Sequence, residues 1–169
     1  MKAAWYGRSG RNSVSNMPTR RPRIPPPVVV MLTGLLMYGL TRLLPAARVE
    51  FPGRWVVVLA ITAVGALVAF TGSIAFRRHK TTVNPLHPER ATALVTSGIY
   101  QYSRNPMYLG MLLLLVAWGV WLANLASFVG PPLFVALINR IQIAPEEAAL
   151  HSLFGESYGR YTRRVRRWL

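Results

Sequence analysis

Hydrophobic residues in this chain fall in long uncharged runs, and short clusters of Arg and Lys separate the runs. A bilayer crossing needs roughly 20 mostly apolar helical residues. Trp55 to Phe76 is the cleanest candidate, with no charged side chain. Ile24 to Thr41 is another, and its Pro25-Pro26-Pro27 opening reads as the entry to a helix. Asn105 to Asn139 is uncharged throughout, too long for one crossing, and interrupted by Asn124 and then by Gly130-Pro131-Pro132. It reads as a tight helical hairpin, with one span from about Pro106 to Leu122 and the other from about Ala126 to Ile141. The expected fold is all-α: a polytopic integral membrane protein with about four transmembrane helices. Gly34, Gly39, Gly65, Gly72, Gly110 and Gly119 are candidates for close helix contact.

Beyond the last run the pattern becomes amphipathic. Leu150, Phe154, Tyr158, Tyr161 and Val165 recur every three or four residues, and Arg160, Arg163, Arg164, Arg166 and Arg167 fill much of the remainder. This predicts a C-terminal amphipathic helix lying on the cytoplasmic face, with anionic membrane lipids as partners for its arginines. Pro145 is expected to kink or restart the helix where it leaves the bilayer.

Charge then orients the spans. Six Lys/Arg lie in residues 1–23, five in 77–104 and six in 140–169, against three in 42–54 and none near Asn124. That asymmetry predicts both termini in the cytoplasm. Residues 1–23 read as a basic, disordered tail, in which Met17 is a second possible start, and 24–169 as one membrane domain. Pro45-Ala46-Ala47 and Arg20-Arg21 have some character of an export signal, but the basic lead is too long for one.

Composition narrows the function classes. Lys plus Arg is 20 and Asp plus Glu is 5, a net charge of +15, yet 52% of residues are hydrophobic and only 15% are charged. That balance, with a mean hydropathy of +0.29, excludes a disordered basic protein and disfavours a soluble nucleic-acid binder. No Cys is present, which removes disulfides, a thiolate nucleophile and Cys-ligated zinc. His79, His87 and His151 lack metal-ligand spacing, so no metal is expected. A Gly-rich phosphate loop and a dinucleotide fingerprint are also missing.

Two segments carry the candidate chemistry. In Arg104-Asn105-Pro106, Asn105 suits an N-cap and Pro106 the first helical position, which leaves backbone N–H groups and a positive dipole end beside Arg104. The plain alternative is that Asn-Pro only starts a helix and Arg104 only reaches the membrane surface. In the second segment, Glu146-Glu147 are two of five acids, adjacent, at the mouth of the bundle. Acids are favoured in a first helical turn anyway. Neighbours on a helix diverge by about 100°, so the two cannot serve one ligand atom. Arg140, near the inner end of the last span, is the candidate for holding an anionic acceptor group.

Leu94-Val95-Thr96-Ser97-Gly98-Ile99-Tyr100, then Arg104-Asn105-Pro106-Met107-Tyr108-Leu109-Gly110, then Glu146-Glu147 with Leu150, Phe154-Gly155, Tyr158 and Tyr161, resemble the isoprenylcysteine carboxyl methyltransferase family. The resemblance is nearest to its small bacterial members, which overlap the phospholipid methyltransferases, and it covers roughly residues 55–169. It implies a bacterial inner-membrane enzyme that uses S-adenosyl-L-methionine without a Rossmann domain and methylates a lipid-like or small acceptor. By that resemblance Tyr100, Arg104, Asn105, Pro106, Tyr108, Glu146 and Glu147 line the cofactor pocket, and Leu94 and Val95 form part of its apolar wall. Arg140 and Glu146 are the candidates for direct contact with the reaction. Two departures stand out: Arg-Asn-Pro replaces the Arg-His-Pro of the eukaryotic enzymes, and Gln142 stands in their basic cluster. The acceptor chemistry stays open among carboxylate O-, phospholipid N- and thiol S-methylation. The rivals of another class are a non-catalytic lipid-binding protein and an NADPH-dependent membrane reductase.

Overall fold

The computed structural model describes residues 24–78 and 94–169. Residues 1–23 with Met17, and residues 79–93 with His79 and His87, lie outside the described residues. Five α-helices follow in order: α1 Pro26–Leu43, α2 Arg54–Arg78, α3 Pro106–Leu122, α4 Gly130–Ile138 and α5 Ala144–Arg164. No strand is formed among the described residues; one isolated antiparallel bridge joins Arg48 to Asn124. Pro26, Pro106 and Pro131 all sit in first helical turns, where the missing N–H removes no intrahelical bond.

Three helical stretches are long and apolar enough to cross a membrane: Pro26–Leu43, Arg54–Ala75 and Leu125–Arg164. The shorter α3 has 17 residues and runs beside them. Their surfaces are those of a membrane protein. Leu59, Leu67 and Phe70 on α2 are each more than 60% exposed, as are Met31 and Leu35 on α1. Side chains of this kind ringing a helix bundle mark contact with hydrocarbon rather than water. The chain is an integral membrane protein.

Small residues let the helices close. A Cβ on Gly110 would stand 2.6 Å from the Gly65 carbonyl oxygen and 2.7 Å from Ala69 Cβ, so α2 and α3 meet almost backbone to backbone. Gly72 lies against Met107 and Pro106, and Gly119 against Met37 and Phe128, as the pattern predicts. Gly39 departs from it, with nothing within 4 Å, while Gly130 takes up Met37 of α1. Met37, Phe134 and Ile138 are fully buried between α1 and α4, with Leu115 of α3 beside them.

The two ends of the bundle are built differently. At one end Asn124 is the turn residue: its side chain accepts from the Ala126 N–H at 2.9 Å and donates to the Leu44 carbonyl at 2.8 Å. The Val49 N–H donates to the Ala123 carbonyl at 2.8 Å. The helical hairpin is therefore real, but a 3₁₀ turn over Leu125–Val129 precedes α4, which begins at Gly130 rather than Ala126. At the other end the buried Gln142 amide donates to the Ile24 carbonyl, which ties the start of α1 to the chain below α4.

The last helices agree with the sequence at one point and correct it at another. Pro145 sits in the first turn of α5, where the regular α-helix restarts. A π-helical turn over Asn139–Ile143 runs straight into α5, and this wider turn accommodates a residue whose ring collides with the carbonyl four positions back in a regular helix. The break comes at Gly155, with φ 49° and ψ −123°, a conformation open to glycine and strained for other residues. A straight helix would separate residues 147 and 167 by about 30 Å. Arg167 instead reaches Glu147 at 2.6 Å, so the chain turns back at Gly155. Leu150, Phe154, Tyr158, Tyr161 and Val165 do share one apolar cluster, but they close on each other and on Leu94 across the bend.

Candidate functional site

The end of the bundle where α3 starts and α5 begins gathers the charged residues. A short 3₁₀ turn, Gly98–Gln101, leads into α3; Gly98 adopts φ 62° and Tyr100 is buried beneath the turn. The buried Ser103 hydroxyl accepts from the Asn105 N–H at 3.1 Å and fixes the approach to Pro106. Asn105 occupies the N-cap position but makes no capping bond. Its amide is directed elsewhere, donating to the Arg167 carbonyl at 3.0 Å, and the Arg104 N–H donates to the Arg166 carbonyl at 3.1 Å. Residues 166–167 thus lie along the start of α3, where a ligand was expected to find free backbone donors.

Glu146 and Glu147 diverge as helix geometry requires. The Tyr108 hydroxyl donates to Glu146 Oε1 at 2.6 Å, a charge-assisted bond from a nearly buried phenol. Glu147 faces Arg104 at 3.1 Å and also accepts from Arg167, through Nε at 3.1 Å and a terminal nitrogen at 2.6 Å. Arg104 and Glu147 are both mostly covered, with side chains 15% and 20% exposed. Arg104 Nε is buried and has no hydrogen-bond partner among the described residues. An orphaned guanidinium donor in such a place costs energy that an incoming anion would recover.

Tyr158 and Tyr161 complete the surround. The Tyr161 hydroxyl donates to the Tyr100 carbonyl at 2.7 Å and holds the returning half of α5 on the 3₁₀ turn. Burial pushes the Tyr100 phenol well above its ordinary pKa, and Tyr161 and the Glu146 carboxylate add to the shift. The phenol is therefore a neutral hydrogen-bonding group at any physiological pH. Beside the cluster, a cleft of about 520 Å³ is lined by Leu94, Thr96, Gln101, Tyr161, Arg164 and Val165, among others. Its size falls within the roughly 300–1,000 Å³ of small-molecule sites.

Of the residues expected in a cofactor pocket, Arg104, Asn105, Tyr108, Glu146 and Glu147 are joined in this network, with Tyr100 directly beneath. Leu94 lines the cleft, whereas Val95 and Pro106 are buried as packing, Pro106 against Gly72. Arg140 stays apart: it is exposed on the π turn and makes no ion pair with the cluster. Arg167 is the residue that the sequence reading misplaces among the lipid-facing arginines. The only sequence signal for its position is Gly155, the residue about which the chain folds back.

The charges are arranged in two signs. Two guanidiniums and one carboxylate leave a unit of positive charge at Arg104, and Glu146 supplies negative charge on the neighbouring helical position. Together they are complementary to a ligand that holds a carboxylate and an ammonium close together, as an amino-acid group does. Among the described residues no group of three His, Asp or Glu side chains is placed to hold a metal ion.

A family model for phospholipid methyltransferases matches residues 54–157, which span α2, α3, α4 and most of α5. The chain belongs to that family. The Arg104–Tyr108 and Glu146–Glu147 segments both lie inside the matched region. The chain is 32% identical to protein-S-isoprenylcysteine O-methyltransferase A of Arabidopsis thaliana over 143 residues, covering 81% of this chain and 70% of the plant protein. Similarity to the B form of the same plant is 32% over 126 residues, covering 71% of this chain and 64% of that protein. A protein-S-isoprenylcysteine O-methyltransferase of Schizosaccharomyces pombe is 39% identical over 75 residues, 43% of this chain and 30% of the yeast protein. The chain thus spans 64% of the plant B form and 30% of the yeast relative. No solved structure matches the chain.

Proposed function

We propose that this phospholipid methyltransferase family member uses S-adenosyl-L-methionine and transfers its methyl group to a lipid-like or small acceptor at the cytoplasmic mouth of four membrane-crossing helices. The observation that carries the reading is the meeting of Arg104 with Glu147 and of Tyr108 with Glu146, the latter 38 residues apart in sequence, with Arg104 Nε left unpaired. Arg104 would hold the carboxylate of the cofactor, and Glu146, steadied by Tyr108, its ammonium or a ribose hydroxyl. Leu94 and Tyr161 offer the cleft wall against which an adenine ring can lie. When bound, S-adenosylmethionine supplies a methyl group on a sulfonium, which an acceptor displaces in line. The chain's own residues hold the two partners in line and exclude water, and such positioning supplies most of the rate.

On this reading α3 is the fourth crossing, and both termini and the site face the cytoplasm of a bacterial inner membrane. The exposed Arg140 of the π turn would take an anionic acceptor group, a carboxylate of the isoprenylcysteine kind by likeness to the plant and yeast relatives. Arg160, Arg163, Arg164 and Arg166 are exposed and suited to anionic lipid headgroups.

The test is isothermal titration of the purified protein with S-adenosylhomocysteine and, separately, with NADPH. The homocysteine ligand should bind and NADPH should not. Arg104→Gln should weaken binding by about 1.5–3 kcal/mol, the worth of a charge-assisted contact. Binding of NADPH alone would support a reductase, and binding of neither would leave a non-catalytic lipid-binding protein.

A further inference from the structure

The proposed site leaves one guanidinium to be explained. We infer that Arg167 is a positioning residue for the cofactor's carboxylate, acting through Glu147 on Arg104; this rests on the cofactor site proposed above.

Arg167 holds both carboxylate oxygens of Glu147, with its terminal nitrogen on Oε2 at 2.6 Å and its Nε on Oε1 at 3.1 Å. This is the forked pairing that a guanidinium makes best. Arg104 reaches the same carboxylate through one terminal nitrogen on Oε1 at 3.1 Å, and its Nε stays unpaired. Without Arg167, Arg104 and Glu147 would form a closed neutral pair, and the fork of Arg104 would be free to take both oxygens. A second carboxylate arriving there would meet no net positive charge. With Arg167 in place Glu147 is neutralised from the far side, and one positive charge with an unused donor remains at Arg104.

Arg167 is held where it can do this. The Arg166 carbonyl accepts from the Arg104 N–H, and the Arg167 carbonyl accepts from the Asn105 side chain. The Trp168 indole N–H donates to Asn139 Oδ1 at 3.2 Å, on the π turn. Arg160, Arg163, Arg164 and Arg166 share its helix end or its neighbourhood in sequence, yet none makes an ion pair with a carboxylate among the described residues. The placement of Arg167 is specific.

The experiment compares two ligands on the full chain in a neutral detergent. S-Adenosylhomocysteine carries the amino-acid group, and methylthioadenosine has the same nucleoside and sulfur without it. In Arg167→Gln the affinity for S-adenosylhomocysteine should fall by about tenfold or more, while that for methylthioadenosine should stay within about twofold of wild type. Arg167→Lys should recover much of the loss, and Arg166→Gln, which keeps its backbone carbonyl, should match wild type for both ligands. Equal loss for both ligands would make Arg167 a clamp on the fold and overturn the inference, and so would no loss for either. A wild-type protein that binds neither ligand would overturn the cofactor site itself, an outcome distinct from any result on the variants.

Discussion

Tyr108 and Glu146 lie 38 residues apart and meet through a 2.6 Å bond between a phenol and a carboxylate. Such bonds are short because the acceptor is charged, and they are worth about 1.5–3 kcal/mol where solvent is largely excluded. Tyr108 is 4% exposed, so Tyr108→Phe keeps the packing and removes only the bond. That variant should lose about 1–3 kcal/mol of stability, read as a lower melting temperature by tryptophan fluorescence in detergent. Glu146→Gln keeps an oxygen that can accept the same proton and should lose less. Identical melting of both variants and wild type would mean that the bond holds nothing in place. That Arg104, Tyr108, Glu146 and Glu147 gather at one end of the bundle is legible in the sequence, because each lies at an end of an uncharged run and the runs must pack antiparallel. Which carboxylate takes which partner is not legible. Adjacent helical positions are equivalent until the neighbouring helix is placed, and only then does Tyr108 select Glu146.

Helices α1 to α3 follow the uncharged runs because the bilayer enforces their length, and the first turns of α1, α3 and α4 fall on prolines, which suit that position. The last helix is harder to read, for a definite reason. An apolar stripe at spacings of three and four describes a straight amphipathic helix on a membrane, and equally two half-helices folded on each other. Both bury the same side chains. Gly155 decides between them, and it does so by backbone angle alone, since a Cβ there would meet nothing within 4 Å. Gly155→Ala should therefore act only through strain, at a cost of about 1–3 kcal/mol. The cost should appear as loosening of the returning segment, with trypsin cutting at Arg163 to Arg167 several times faster than in wild type. Gly39→Ala, at an uncrowded helical position, is the matched control and should cleave like the parent. Equal cleavage of the Gly155 variant would show that the bend is held by the tyrosine contacts and not by the glycine.

At the scale of the whole molecule, one end is tied by backbone and amide bonds around Asn124, with Glu50 pairing Arg48 and Arg54 in the exposed connection, and the other holds the mostly covered ion pairs of Glu147. Seventeen of the twenty Lys and Arg lie in segments assigned to that second end. Reporter fusions at residues 15 and 90 and after residue 169 should report cytoplasm, and a fusion near Asn124 the opposite side. If 90 and 124 report the same side, the helices do not alternate as the four-crossing arrangement demands. The π turn between α4 and α5 bears on a different property, the tolerance of this wall to changes in chain length. A π turn spends about one residue more than an α turn over the same arc, so the segments above and below it keep their facing as though that residue were absent. Loss of one residue within Asn139–Ile143 leaves Glu146 and Glu147 aimed as they are, while loss of one residue within α4 swings both carboxylates by about 100°, away from Tyr108 and Arg104. The widened turn is thus the point on this helix where the distance between membrane anchor and paired carboxylates can be altered without altering their direction.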